Sequence, residues 1–168
     1  MDSPGPWPEL ATSPWGLCLN WLCTSIIDLS LADIKGNVWI RDPLVSKADN
    51  YPIVLIGTSQ PSHNEADGTV TAPDILVAAQ VGFVYGSDGS ANETLPARLA
   101  VHHLLFNALA KRARPTALHT ALQAAFPTVG VQRILCRPGD PSSQAAREAN
   151  FAAGWMEVQF HLRYPSTA

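Results

Sequence analysis

The sequence has little charge. Only 15% of its 168 residues are Asp, Glu, Lys or Arg, against about 25% in an average soluble domain. Hydrophobic residues make up 46%, which excludes a disordered chain and is enough to form the core of one domain. A surface with so few charges is typical either of a small neutral domain or of a subunit that its partners cover, and we favour the second interpretation.

The sequence also lacks the features of several functional classes. It has no Lys/Arg-rich run, which argues against a dedicated nucleic-acid binder. Its three cysteines, Cys18, Cys23 and Cys136, are odd in number and contain no C-x-x-C pair, so we expect reduced thiols. We interpret Cys136 as a small buried hydrophobe rather than a thiol activated by Arg137. The apolar stretch over residues 15–34 is interrupted by polar residues and is a poor membrane span.

Familiar catalytic and ligand-binding motifs are missing as well. There is no phosphate-binding loop, no G-x-G-x-x-G after a strand and no G-x-S-x-G turn. His102 and His103 are adjacent, so on a helix they point about 100° apart and do not suit one metal ion. We therefore expect no catalytic residue, no cofactor and no metal. The alternative, a small enzyme or ligand-binding domain, would use a pocket near residues 57–59 with Ser59 and His102.

The charges that are present are divided unevenly along the chain. Residues 1–97 contain three basic and eleven acidic residues, a net charge of −8. Residues 98–168 contain eight basic and three acidic residues, a net charge of +5. Such an asymmetry indicates an anionic partner or head-to-tail self-association.

The N-terminal part of the chain predicts an arm followed by a helix. Residues 1–14 contain four prolines and predict an extended arm. Over residues 15–34, apolar side chains recur every three or four positions on two faces, which predicts a helix that ends near Gly36. One face would pack on the sheet of the same domain. The other would be buried either in the same core or against another subunit.

The rest of the sequence predicts a single domain over residues 15–165. Two further helices are expected at 90–112 and 116–126, and a long polar loop at 58–74. The last strand is the clearest, because apolar and polar residues alternate along it. We predict a two-layer α+β fold, with a mainly antiparallel or mixed sheet, helices on one face, and the polar face of the last strand open to water or a lumen. About five strands are expected, at 37–42, 52–57, 75–85, 131–137 and 155–164.

The order of these elements resembles that of the tail terminator, or tail completion, proteins of long-tailed bacteriophages. The resemblance covers about residues 10–165. The segments that carry it are NVWIRDP, PIVLIG, ILVAAQVGFVY, LPARLAVHHLLFNAL, VQRILCRPGD and WMEVQFHLRYP.

The resemblance implies a structural subunit of the virion that is assembled in the host cytoplasm and has no contact with a membrane. Its copies would form a ring, usually a hexamer, on the head-proximal end of the tail tube. Partners would be the tail tube protein and the head-to-tail connector protein, with room for non-specific contact with DNA in the lumen. A neck connector subunit shares much of this pattern and is the alternative. The candidate interface residues are Trp7, Trp15, Trp21, His63, Glu65, Asp67, Trp155 and Arg163.

Overall fold

The fold combines helices with a single sheet. A computed structural model of the chain describes residues 4–30, 36–41, 53–58, 62–63, 74–84, 103, 107, 115–138 and 153–163. These ranges contain no helix that is both long and apolar enough to cross a membrane. The elements are a 3₁₀ helix (Pro8–Thr12), α1 (Pro14–Ile27), β1 (Val38–Ile40), β2 (Ile53–Thr58), β3 (Ser62–His63), β4 (Asp74–Val84), α2 (Pro115–Ala125), β5 (Gly130–Pro138) and β6 (Ala153–Arg163).

The strands form one mixed sheet in the order β1-β2-β4-β6-β5. β1 and β2 are parallel, and the other pairs are antiparallel. The sixth strand, β3, lies within the predicted loop at 58–74 and pairs with β4. It has room because β2 pairs only with residues 79–84 of β4, which leaves Ile75 and Leu76 on the same edge for β3. The predicted α+β class and mixed sheet are confirmed.

Both described helices cover the same face of the sheet. Leu19 and Leu22 of α1 belong to one buried cluster with Leu118 and Leu122 of α2. The sheet contributes alternate residues to this cluster, as expected for strands with one face on the core. These are Val38, Ile40, Val54, Ile56, Ala79, Val81, Val131, Ile134, Met156, Val158, Phe160 and Leu162. The prediction that the helices pack on one face is confirmed for α1 and α2.

The other face of the sheet is less open than we expected. Ile53 and Leu55 of β2 point away from the helices and are nevertheless fully buried. On the polar side of β6, Gln159 is buried and its amide donates a hydrogen bond to Glu157. Neighbouring strands cover only the edges of β2 and β6, so burial on this face means that other atoms of the chain lie over it. Toward β5 the same face is more open, because Arg163 of β6 and Arg133 and Arg137 of β5 are exposed, while Glu157 and His161 are half-buried.

The first long helix is shorter than the sequence predicted. α1 ends at Ile27 rather than at residue 34. The amide groups of Leu29 and Ser30 donate to the carbonyl oxygens of Ile26 and Ile27, and Ser30 has a φ of 50°, so the chain has already turned. The apolar pattern extends beyond the end of the helix because Leu29, which follows the helix, still packs against the core.

The predicted extended arm folds back on the domain. Residues 4–12, which we call the strap, contain the 3₁₀ helix, and this helix lies against α1. Pro8 at its first position supplies the helical φ, and Leu10 packs against the core cluster. The description of residues 1–14 as an extended arm was therefore wrong for the strap.

The C-terminal elements agree with their predictions. α2 lies within one residue of the predicted 116–126, and β5 and β6 cover the last two predicted strands. β5 contains one irregularity, a bulge between Val131 and Arg133. The predicted helix at 90–112 lies outside the described residues except for His103 and Asn107, which are helical and exposed.

Candidate assembly surface

The fourteen residues of α1 include no charged side chain. The helix starts at Pro14, and the Ser13 hydroxyl caps it by accepting from the Gly16 amide at 3.0 Å. Its inner side is fully buried in the core cluster, by residues such as Leu19 and Leu22. Leu17 and Trp21 lie on its second apolar face, where they are half-buried and still pack against the core cluster. The two apolar faces expected from the sequence therefore exist, and the second, outer one is covered only in part.

The strap lies against α1 through a close and specific contact. A β-carbon at Gly16 would overlap the carbonyl oxygen of Leu10, so only glycine allows the 3₁₀ helix to approach this closely. The Asn20 side chain accepts from the Trp7 amide at 2.9 Å and donates to the Trp7 carbonyl oxygen at 2.6 Å. One side chain thus satisfies both backbone groups of a strap residue, as a neighbouring strand would.

The strap also reaches the sheet. The Gly5 amide donates to the carbonyl oxygen of Val38 in β1 at 2.8 Å. β1 is the first strand in the sheet order, and it has only three residues. The strap therefore contacts the edge strand β1 through the Gly5 amide, and it contacts α1 at Gly16 and at Asn20.

Three of the predicted interface residues lie in this region. Trp7, Trp15 and Trp21 are all half-buried. Trp21 is anchored by an edge-to-face contact with Phe160, with the ring centroids 6.1 Å apart. The indole nitrogen of Trp15 is buried and has no hydrogen-bond partner in the described part of the chain.

A fourth tryptophan was missed by the sequence analysis. Trp39 lies in β1 and is half-buried on the face away from the helices. Its indole nitrogen donates to the Asn37 side chain at 2.7 Å, and the Arg41 guanidinium lies 5.3 Å from its ring centroid. The alternation of Val38, Trp39 and Ile40 would have placed it on the outer face. Four of the five tryptophans of the chain are therefore in the strap, α1 and β1.

Of the other predicted interface residues, Trp155 lies in the same row of the sheet as Trp39, two strands beyond β2, whereas His63 and Arg163 lie at the opposite end of the strands. His63 lies in β3 opposite Ile75, and Arg163 lies at the end of β6 opposite Asp74. Trp155 lies in β6 opposite Gly82, and Glu65 and Asp67 lie outside the described residues. The strap contacts β1 at Val38, which is level with Phe83 of β4. His63 is level with Ile75, about 26 Å away along β4 at the usual rise per residue.

Exposed arginines lie near one edge of the sheet, on the strands β5 and β6. Arg133 and Arg137 lie on the same face of β5 and are exposed, as is Arg163 of β6. The Gln132 amide, oriented with its oxygen toward Arg163, accepts from that guanidinium. Part of the basic excess of the C-terminal half is thus exposed near the β5 edge of the sheet, which is the edge opposite β1.

The described residues offer little for catalysis. They contain no group of three His, Cys, Asp or Glu side chains that could hold a metal ion. Burial raises the pKa of Cys18 and of Cys23 to about 12, and it also raises the pKa of Cys136. A thiol with a raised pKa is a weak nucleophile at neutral pH, so all three act as apolar side chains. Ser59 and His102, which the enzyme alternative requires, lie outside the described residues.

His119, which the sequence did not single out, has a structural contact. His119 lies in α2, and its Nδ1 accepts from the amide of Val131 at 3.2 Å. This bond ties the helix to the first residues of β5. His119 is therefore a link between two elements rather than part of a cluster of titratable groups.

No known protein-family model matches this sequence, and no curated protein matches it. A function is therefore inferred from the composition, the fold and the surface residues described above.

Proposed function

We propose that this protein is a structural subunit of a bacteriophage tail, which forms a ring on the head-proximal end of the tail tube and joins it to the head connector. The observation that carries the proposal is the uncharged helix α1, with its half-buried apolar residues on the outer side. A helix on the surface of a solitary domain normally has charged residues opposite its core face, whereas α1 has only uncharged ones there, such as Leu17, Asn20 and Thr24. A helix without charge suits a contact between subunits, because no ion has to be stripped of water there.

The distribution of the candidate interface residues supports the same proposal. A ring is built from heterologous contacts, in which two different patches of each subunit meet. The tryptophans of the strap and α1 form one candidate patch, and His63 and Arg163, at the other end of the sheet, mark a second. Aromatic residues and arginine are the types that most often dominate the binding energy of protein interfaces.

The α+β fold and the order of its elements also agree with the resemblance to tail terminator proteins. That resemblance supplies the partners of the proposal, which are other copies of the chain, the tail tube protein and the head-to-tail connector protein. A neck connector subunit would share the ring and differ in its axial partners. The low content of charge fits both positions.

The experiment is to measure the mass of the purified protein by light scattering, with negative-stain images, alone and with tail tube protein. We expect rings, either in the protein alone or when tube protein is added. The decisive variant is Leu17→Asp, which places a charge on the outer side of α1. We expect it to remain folded and to lose ring formation, because the carboxylate would be desolvated at the contact.

The matched control is Gln123→Asp, which adds the same charge at an exposed position of α2. It should form rings as the unmodified protein does. A compact monomer that ignores tube protein would contradict the proposal. So would normal rings from the Leu17→Asp variant.

The axial partner is tested by exchanging residues 64–73, between β3 and β4, for a short Gly/Ser linker. This segment includes Glu65 and Asp67. If it meets the tube or the connector, the variant will still form rings but will not join tails. Normal assembly into tails would remove these two residues from the interface.

A further inference from the structure

The site that holds the strap fits the sequence of the strap closely, but it buries few of the strap residues. Of residues 4–12, only Gly5 is buried, while Trp7 and Leu10 are half-buried and the others are exposed. What fixes the strap is stereochemistry: the notch at Gly16, the two hydrogen bonds of Asn20 and the bond from Gly5 to Val38. A segment with this little burial opens locally at a low cost in free energy.

The strap is also stiff before it docks. Pro4, Pro6 and Pro8 fix φ at three of its nine positions, so the free strap has few conformations to lose. Docking onto any copy of the site therefore costs little conformational entropy. The affinity depends on whether the site is correctly shaped and not on whether it belongs to the same chain.

The hinge between strap and domain is a single residue. The 3₁₀ helix ends at Thr12, α1 begins at Pro14, and Ser13 between them is extended, with φ −132° and ψ 151°. Proline at the next position favours this extended geometry. Rotation about the bonds of Thr12 and the N–Cα bond of Ser13 redirects the strap, while the Ser13 hydroxyl still caps α1. Short hinges of this kind favour exchange of the segment between copies of a protein.

We propose that the strap is exchanged between neighbouring copies of this chain, so that residues 4–12 of one subunit occupy the Gly16–Asn20 site and the β1 edge of the next. The occupant is a second copy because the site is already complementary to this sequence at Leu10, Trp7 and Gly5. The role in a ring rests on the proposed function, while the exchange itself does not. In a ring, each subunit would give one strap and receive one, which is a heterologous contact that closes.

The test is a complementation experiment with two full-length variants. In the first, Gly16→Ala blocks the notch but leaves the strap intact. In the second, Gly5→Pro with Trp7→Pro removes the two strap amides that donate to Val38 and Asn20 but leaves the notch open. The two variants carry different fluorescent labels, and their association is measured by energy transfer and sedimentation, without tube protein.

We expect the mixture to form a complex of one chain of each kind, at least about tenfold tighter than either variant with itself. Circular dichroism shows whether each variant is folded. If Gly16→Ala does not fold, Asn20→Asp takes its place, because it keeps the shape of the side chain and removes the donor to Trp7. Thr24→Ala, at an exposed position of the same helix, is the control for the notch variants. It should associate with itself as the unmodified protein does, so mixing it with the strap variant should give no complex tighter than this self-association.

Lack of association between folded variants would overturn the exchange. If the unmodified protein nevertheless forms rings with tube protein, the proposed function stands without strap exchange. If the variants associate while no ring is ever seen, the exchange stands and the proposed function fails.

Discussion

The two described helices share one face of the sheet but are exposed to very different degrees on their outer sides. α1 is uncharged, buries seven of its fourteen residues, and has the strap docked against it. α2 buries Leu118 and Leu122, while Ala121, Gln123 and Ala124 are exposed. α2 is thus an ordinary amphipathic surface helix. α1 is covered on one side by the core and on part of the other side by the strap. The rest of its outer side is uncharged, and this is the candidate contact surface.

The largest expected effect compares one leucine in each helix. Leu22→Ala and Leu122→Ala remove the same group from two fully buried positions. We expect Leu22→Ala to cost about 4 kcal/mol and Leu122→Ala about 2 to 3 kcal/mol of unfolding free energy. The difference arises because α1 is covered on more sides than α2, so the atoms around Leu22 have less freedom to collapse into the cavity. Urea denaturation measures both, and a larger loss at Leu122 would contradict the comparison.

A second effect concerns the contact between strap and α1. An exposed Gly in a helix is normally stabilised by substitution with Ala, by about 1 kcal/mol. At Gly16 we expect the opposite, a loss of about 2 kcal/mol, because the new β-carbon displaces Leu10 and with it the strap. Thr24→Ala in the same helix should change the unfolding free energy by less than about 0.5 kcal/mol. A stabilised Gly16→Ala protein would show that the strap is not docked at this notch in solution.

A third comparison concerns Asn20 of α1 and His119 of α2, whose side chains form hydrogen bonds with backbone groups of other segments. Asn20→Ala leaves the amide and the carbonyl of Trp7 without their partner, whereas His119→Ala leaves one amide, that of Val131. We expect a loss of about 1 to 2 kcal/mol for Asn20 and about 1 kcal/mol for His119. Hydrogen exchange should show where each variant is destabilised. Asn20→Ala should lose amide protection in the strap, and His119→Ala should lose it at the start of β5.

The last effect is alkaline, and we expect it mainly from the two thiols of α1. Folding raises the pKa of Cys18 and of Cys23 from 9.0 to about 12. Above pH 9 the unfolded chain loses these protons while the folded chain keeps them. Stability is therefore fully present below pH 9 and falls as the pH rises from 9 toward 12.

Between pH 9 and pH 10, each thiol should lower the unfolding free energy by about 1 kcal/mol. Urea titrations across this range measure the slope. Replacing both cysteines with alanine should flatten it, while Cys136→Ala serves as the half-buried comparison. A slope that survives the double replacement would assign the alkaline sensitivity to other groups.

The sequence predicted most of the described elements, but not the end of α1, the strand β3 or the contacts between distant segments. The alternation in β6 and the apolar run of β2 are direct consequences of a two-residue repeat and of burial on both faces. The end of α1 was misplaced because Leu29 fits the helical spacing and yet packs from a turn. Of the candidate site, Trp7, Trp15 and Trp21 were found from the sequence, while Trp39 was overlooked although its strand pattern was visible.

The amino-acid sequence alone determined the α+β class, the positions of the described strands other than β3, and the lack of charge in α1, because periodicity and composition act through short-range geometry. Only the tertiary structure decided that the prolines near the N-terminus form a docked strap, that Gly16 is the place where it docks, and that Asn20 holds Trp7. It also decided that Gln159 is buried although it lies on a polar face. These facts depend on which distant segments meet, and neither a residue's own propensity nor its spacing from its neighbours contains that information.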